Sequence, residues 1–379
     1  MGTVDVLVIS AGYGAGHNQT AAAVRDGLAA VWPGCRTHIL DYLTYFPPGI
    51  GSASVDFYKF LCKYLPPLYG GVYRLTDMLK GRRMWDTLQY GMGRLQLKEL
   101  LAALDPKVIV CTHPLPMGIL ADMRKAGERL PPVTCIMTDF ELHREWLQPE
   151  LDHYWLPNDA LLGAFVRFGI ARERVSTIGI PVRKPFWTPL DQAEARRQLG
   201  LAQDQRIILY ITSALGTLGG VARVCARLLR SPEPFALVVI AGRDERLYRD
   251  LQRLAARVGG ERLRPLRFVD NVAQLMAASD LVITKAGGIT TSEALARGRP
   301  IVIYRPIPGQ EAGNSRYLSA KDAAMIAYTP RQLRDVVTQI LADEAVRARL
   351  ERGARGLAAA DSALVIARAV CRQAGHEPV

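Results

Sequence analysis

The stretch Val4-Asp5-Val6-Leu7-Val8-Ile9-Ser10-Ala11-Gly12-Tyr13-Gly14-Ala15-Gly16-His17 joins a β-branched apolar run to a glycine-rich turn. From Thr20 to Val31 the chain turns alanine-rich with helical spacing, so the order is strand, loop, helix. The same grammar recurs. Val108 to Cys111 and Val133 to Met137 are short apolar runs that end in polar or turn residues, and Leu97 to Leu104 reads as a helix before the first of them. Such strands are buried on both faces, as in a parallel sheet. The run Arg183-Lys184-Pro185-Phe186-Trp187-Thr188-Pro189 interrupts the pattern, since proline and charge there favour neither helix nor strand. Beyond it Arg206 to Ile211, Phe235 to Ala241, Leu281 to Thr284 and Ile301 to Tyr304 read as strands, with Glu245 to Val258 helical among them. Pro330 to Val370 read as mostly helical. The expected class is α/β, with two doubly wound domains: residues 1–182 and 183–355, followed by a helical segment 356–379.

A chain of 379 residues is long enough for two such domains, and 49% apolar with 22% charged residues excludes intrinsic disorder. No apolar run reaches the roughly 18 residues of a spanning helix, and the first residues lack a signal-peptide pattern, so a cytoplasmic protein is expected. The six cysteines are scattered with no C-x-x-C pair, which suggests neither a zinc site nor a disulfide framework. The formal net charge is +12. Nucleic acid, anionic membrane and phosphorylated substrates therefore all enter as partners. Residues 1–180 carry 18 basic and 17 acidic side chains, and residues 181–379 carry 30 and 19, so the surplus belongs to the second half.

Residues 42–96 fit the α/β pattern least. Tyr42, Tyr45, Phe46, Phe57, Tyr58, Phe60, Tyr64, Tyr69, Tyr73, Trp85 and Tyr90 alternate there with Lys59, Lys63, Arg74, Lys80, Arg82 and Arg83. Residues 51–100 carry a net +4, against −3 for the rest of the first half. Such a stretch can lie in a bilayer headgroup region, or it can pack on the first sheet with its bases in water.

Three loops carry chemistry. In the first, Gly12 and Gly14 imitate a dinucleotide fingerprint, but the third glycine comes one position early at Gly16, and His17 stands at the helix entrance. A histidine there can take a proton from a hydroxyl near neutral pH, or simply cap the helix. In the second, Thr284-Lys285-Ala286-Gly287-Gly288-Ile289-Thr290-Thr291-Ser292-Glu293-Ala294, the glycines present backbone donors to a diphosphate. Glu293, expected on the helix's first turn, suits vicinal ribose hydroxyls, though Ser/Thr followed by Glu is also a capping pattern. In the third, Pro308-Gly309-Gln310-Glu311-Ala312-Gly313-Asn314, long polar side chains gather on what reads as a loop just past a strand.

Together the Ser-x-Gly-x-Gly-x-Gly-His loop, Lys-Ala-Gly-Gly-Ile-Thr-x-x-Glu-Ala and Pro-Gly-Gln-Glu-x-Gly-Asn resemble the monogalactosyldiacylglycerol synthase and processive diacylglycerol glucosyltransferase family. MurG-type transferases are looser relatives. Thr112-His113-Pro114 and Thr138-Asp139-Phe140, with His143 and Trp146, resemble the family's first-domain motifs in order, and the similarity spans residues 4 to 355. The resemblance implies a GT-B fold, two Rossmann-like domains facing across a cleft, with the last helix crossing back to the first domain. It implies a UDP-sugar on the second domain and a lipid acceptor on the first. Gly287, Gly288, Ile289, Thr290 and Thr291, with Gly309, Gln310, Glu311, Ala312 and Gly313, would hold nucleotide and sugar, Glu293 the ribose, and Asn314 the sugar. Phe268 and Val269 would meet uracil, and Gly16 and Ser213 would add donor contacts. His17 would be the base and Asp139 a second carboxylate that orients it. Tyr42, His113, Pro114, His143, Trp146, Lys80, Arg82 and Arg83 would serve the acceptor or the membrane. One departure is the turn from Thr212 to Gly220, poorer in early glycines than the family pattern and without a charge.

The implied reaction is an inverting transfer of glucose or galactose to a glycerolipid hydroxyl, that of diacylglycerol in the first place, by a peripheral protein on the inner face of the cell membrane. With no Asp-x-Asp motif, no metal and no other cofactor is expected. A UDP-sugar 2-epimerase would share the fold but would have no use for the aromatic basic insert. A nucleic-acid binder lacks any recognisable module and is set aside. A GT-B glycosyltransferase acting on another apolar acceptor is the remaining alternative.

Overall fold

A computed structural model of the chain describes residues 3–45, 50–78, 84–212 and 220–379. They form two compact units. Met1–Leu61, Pro67–Lys184 and Ala359–Val379 make the first, and Pro185–Ala358 with Cys62–Pro66 the second.

The first sheet contains β1 (Val6–Ser10), β2 (Thr37–Asp41), β3 (Val108–Cys111), β4 (Val133–Ile136), β5 (His153–Leu156) and β6 (Val175–Thr177). Its order is β2-β1-β3-β4-β5-β6, every pair parallel. Alternation along β1 sends its residues to two cores: Leu7 and Ile9 to one face, Val6 and Val8 to the other. All four are fully buried, each stabilising the fold by roughly 1.5–3 kcal/mol.

The second face is covered by α1 (Ala15–Val31) and by the C-terminal helix Ser362–Gln373. These two helices approach so closely that a β-carbon on Gly27 would stand 2.4 Å from the Ala363 carbonyl oxygen. Trp32 stacks on His376 at 4.5 Å, and the Val379 amide donates to the Val31 carbonyl at 2.8 Å. Ile366, Ala367, Val370 and Cys371 of the C-terminal helix are thus part of the first unit's core. Between β2 and β3 lie three helices, α2 (Ile50–Tyr64), α3 (Pro66–Met78) and α4 (Met84–Leu104). α5 (Pro114–Lys125) follows β3.

The second sheet contains β7 (Ile207–Ile211), β8 (Ala236–Ile240), β9 (Leu263–Leu266), β10 (Leu281–Thr284), β11 (Ile301–Tyr304) and β12 (Ala324–Ala327). Its order β12-β11-β10-β7-β8-β9 is parallel throughout. Counted from its own first strand this is the 3-2-1-4-5-6 order of a dinucleotide-type sheet. A buried ion pair, Arg196 to Asp280 at 2.8 Å, ties the helix Gln192–Leu199 to the start of β10. In each sheet the strand order reverses beside the first strand, between β1 and β3 and between β7 and β10. Open α/β sheets hold ligands at the carboxyl end of such a reversal. No described helix is long and apolar enough to cross a membrane.

Candidate active site

In the first unit the reversal is flanked by the loop after β1 and the loop after β3. α1 begins at Ala15, five residues before the alanine-rich run, with extended Gly14 as N-cap and, among the described residues, no side-chain cap bond. Its leading N–H groups are therefore open to a ligand. The loop is shaped by Asp41 at the end of β2. One Asp41 carboxylate oxygen accepts from the Gly12 and Leu43 amides at 3.0 and 3.1 Å, and the other from Asn18 Nδ2 at 3.2 Å. Ser10 Oγ donates in turn to Asn18 Oδ1 at 2.6 Å. A β-carbon on Gly12 would lie 2.5 Å from Asp41 Oδ2, so only glycine leaves room for this arrangement. Dinucleotide-binding sheets use an acid at this point for ribose. Here its oxygens hold the loop, which removes the dinucleotide reading. Nothing in sequence spacing had singled out Asp41.

His17 lies in the first turn of α1. Its Nδ1 is 2.7 Å from the Thr112 carbonyl oxygen and 3.1 Å from Thr138 Oγ1. A carbonyl only accepts, so Nδ1 carries the proton and Nε2 keeps its lone pair. Burial lowers the His17 pKa below 6.5, opposed by the negative charges of Asp139 and Asp41. The ring is consequently neutral at pH 7, and any charge it gains is met by two carboxylates. Asp139 itself is buried, 9% exposed, in the loop after β4.

His113 packs edge-on against His17, ring centroids 4.4 Å apart, and stacks on Tyr13 at 5.5 Å. It is the N-cap of α5: the Leu115 amide donates to its Nδ1 at 3.1 Å, with Pro114 at the first helical position. Burial, reinforced by His17, holds its pKa well below 6.5. Rings continue outward: Tyr13 meets Tyr58, Tyr58 meets Tyr69, Tyr69 meets Tyr73, and Tyr73 meets His143 at 4.6 Å. His143 accepts at Nδ1 from the Glu145 amide, and its Nε2 faces Thr76 Oγ1 and the Tyr73 carbonyl at 3.3 and 3.4 Å. With the Arg144 amide bonded to Asp77 at 2.8 Å, it fastens α3 to the loop after β4.

Tyr42 and Trp146 are 1% and 3% exposed and belong to the core of the first sheet. Exposed apolar side chains lie elsewhere, on α2 and α3, where Phe57, Phe60, Tyr64, Leu68, Val72 and Leu75, with Leu65 between the helices, are each more than two-fifths exposed. Lys80, Arg82 and Arg83 lie outside the described residues.

In the second unit the loop after β10 opens the helix Gly288–Ala296, whose N-cap is Gly287 with no side-chain cap. Gly287 has open space around its missing β-carbon. Ile289 and Thr291 are buried, and Thr291 Oγ1 donates back to the Gly287 carbonyl at 2.9 Å, leaving the first-turn amides of this helix to a ligand. Two local expectations are corrected. Glu293 stands in the second turn, because the helix already starts at Gly288. The Pro308–Asn314 motif is not a loop: Gly309, at φ +98°, ends the turn, and a helix runs over Gln310–Ala320. Asn314 is fully buried there, and its Nδ2 donates to the Ala286 carbonyl at 2.8 Å, binding this helix to the β10 loop. Glu311 accepts from the Ile307 amide at 2.8 Å, while Gln310, Ala312 and the Gly309 turn stay partly exposed and Gly313 is buried. Phe268, beyond β9, is 58% exposed with the Arg243 guanidinium 5.2 Å above its ring, and Val269 beside it is half-buried. Ser213 lies outside the described residues. Among the described residues no cluster of three His, Cys, Asp or Glu side chains is arranged to hold a metal.

Residues 17–182 match the family model for monogalactosyldiacylglycerol (MGDG) synthase, and residues 219–368 match that for the glycosyltransferase family 28 C-terminal domain. The chain is 28% identical over 370 residues to the processive diacylglycerol beta-glucosyltransferase of Bacillus subtilis (strain 168), covering 97% of this chain and 95% of that one. The protein of that name from Bacillus mycoides (strain KBAB4) is 29% identical over 331 residues, 85% and 81% of the two chains. Among solved structures, Acinetobacter baumannii MurG aligns with a TM-score of 0.64 at 16% identity over 97% and 99% of the chains. UDP-GlcNAc 2-epimerase from Neisseria meningitidis, bound to UDP-GlcNAc, aligns with 0.61 at 11% over 98% and 100%. At those identities the likeness is one of fold: two Rossmann-like domains of the GT-B kind.

Proposed function

We propose that this chain, whose residues 17–182 match the monogalactosyldiacylglycerol synthase model and residues 219–368 the glycosyltransferase family 28 C-terminal model, transfers a hexose, with inversion, from a UDP-sugar to the hydroxyl of a lipid acceptor, diacylglycerol in the first place. The observation that carries this reading is the bond from His17 Nδ1 to the Thr112 carbonyl, which leaves Nε2 bare beside an open helix N-terminus. Nε2 takes the proton of the acceptor hydroxyl as its oxygen attacks the anomeric carbon, and the bond from that carbon to the diphosphate breaks on the opposite face. The imidazolium so formed is stabilised by Asp139 and Asp41.

On the donor side, the backbone from Gly287 to Thr291 holds the diphosphate, whose growing charge is met by the helix N-terminus. Phe268 and Val269 lie against uracil, Glu293 bonds the ribose, and Gln310 and Glu311 meet the sugar. Asn314 holds the two donor loops in register. The reaction as drawn needs no metal. The exposed apolar face of α2 and α3, with Lys59 and Arg74 in the same helices, docks on anionic lipid at the inner face of the cell membrane.

Incubation with UDP-glucose or UDP-galactose and diacylglycerol, followed by mass spectrometry, tests the reaction: a hexosyl lipid is expected. Isomerised UDP-sugar with no glycolipid would replace the proposal with an epimerase. Flotation on vesicles tests the docking, and equal binding with and without anionic lipid would overturn its electrostatic part.

A further inference from the structure

The two histidines that meet at the reversal of the first sheet are in opposite tautomers. His17 donates from Nδ1 to a carbonyl and presents a lone pair at Nε2. His113 accepts at Nδ1 from an amide, so its proton is on Nε2. Among the described residues neither Nε2 has a hydrogen-bond partner. One ring therefore offers an acceptor and its neighbour, 4.4 Å away between centroids, offers a donor. His113 cannot exchange these roles, because the Leu115 amide would then lose its partner at the first turn of α5. Tyr13, stacked on His113 at 5.5 Å, holds the ring plane.

A donor beside the base is not suited to the reacting oxygen itself, whose lone pair must attack carbon. It is suited to an oxygen on the adjoining carbon of the acceptor. We propose, resting on the lipid-glycosylating reading above, that His113 is a specificity-determining residue whose Nε2–H bonds the oxygen substituent next to the reacting hydroxyl, so that the site selects acceptors with oxygens on adjacent carbons. In diacylglycerol that substituent is the neighbouring ester. The proton taken in catalysis still goes to His17, and His113 stays neutral throughout.

Two substitutions separate this role from helix capping. In His113→Asn the amide oxygen can replace Nδ1 as the cap of α5, but no donor reaches the position of Nε2. In His113→Gln the side-chain NH2 takes the place of Nε2–H and the cap is lost. The readout is the ratio of kcat/KM for diacylglycerol to that for an analogue whose neighbouring ester is replaced by an alkyl chain of equal length. About a tenfold preference is expected for the unsubstituted protein, the scale of one neutral hydrogen bond. His113→Gln keeps the preference with a lower melting temperature, and His113→Asn loses it with the melting temperature unchanged. A pure cap predicts the reverse order, with His113→Asn indistinguishable from the unsubstituted protein, and that result overturns the proposal alone. Transfer to neither acceptor by the unsubstituted protein overturns the underlying reading as well.

Discussion

The two units start from one plan and spend it differently. The second completes the 3-2-1-4-5-6 sheet, placing β9 outside β8. Among the described residues the first has no strand outside β2; in the corresponding part of the chain it carries α2, α3 and α4. The candidate sites differ accordingly. Where the sheet is complete, the carboxyl end presents backbone amides on glycine-led helices and a buried asparagine, a rigid surface of fixed dipoles suited to an anion. Where the outer strand is missing, histidines, carboxylates and a line of tyrosine rings gather instead. The proposed proton chemistry belongs to the half that gave up sheet for side chains.

The sharpest way to break this contrast is His17→Ala. Turnover is expected to fall roughly 10²- to 10⁴-fold, with UDP affinity, which the proposal assigns to the other unit, unchanged. Near-normal turnover would remove His17 from the chemistry.

Glycines distinguish the units next. Gly27→Ala forces a β-carbon against the Ala363 backbone and is expected to cost about 1–3 kcal/mol, the scale of overpacking, read as a lower urea midpoint. Gly287→Ala meets open space at an ordinary φ of −70°, so stability should hold within about 0.5 kcal/mol while UDP-sugar affinity drops. Equal loss of stability in both would erase the distinction between a packing glycine and a ligand glycine.

A smaller effect is expected from pH. His17 and His113 have folded pKa values below the 6.5 of the unfolded chain, chiefly through burial. The unfolded state then binds more protons, so this contribution to stability is complete above about pH 6.5 and is lost as pH falls from there toward the folded values. Melting temperature should decline from pH 7 to pH 5.5, less steeply in His113→Asn, and kcat/KM should show an acid limb below 6.5. A flat melting profile would mean that the rings are solvated.

The strongly apolar elements were legible in sequence: Leu281–Thr284, Ile301–Tyr304 and the helix Glu245–Val258 form with the bounds their patterns suggest. The strands that escaped are weakly patterned. β2 is a half-buried edge, β5 opens on His153, β6 has three residues, β9 contains Pro265, and β12 begins and ends on alanine. α1 and the helix Gln310–Ala320 begin earlier than propensity suggests, since glycines at their starts weaken a local signal that packing overrides. His17 and the glycine loops were visible because strand-to-helix junctions in α/β chains are read from local order, whereas Asp139 came only from the family resemblance. Asp41 was not, because its partners Gly12 and Asn18 are 29 and 23 residues away.

Sequence by itself determined the two α/β halves, the order of the loops and the residue types at each, since strand and helix periodicities are local. Tertiary structure alone decided which nitrogen of each histidine bears the proton, that Asn314 and His143 serve as ties, and that the C-terminal helix seats on α1. The reason is physical: a tautomer is set by the group facing it, and the Thr112 carbonyl that sets His17 lies 95 residues along the chain, brought there by the pairing of β1 with β3.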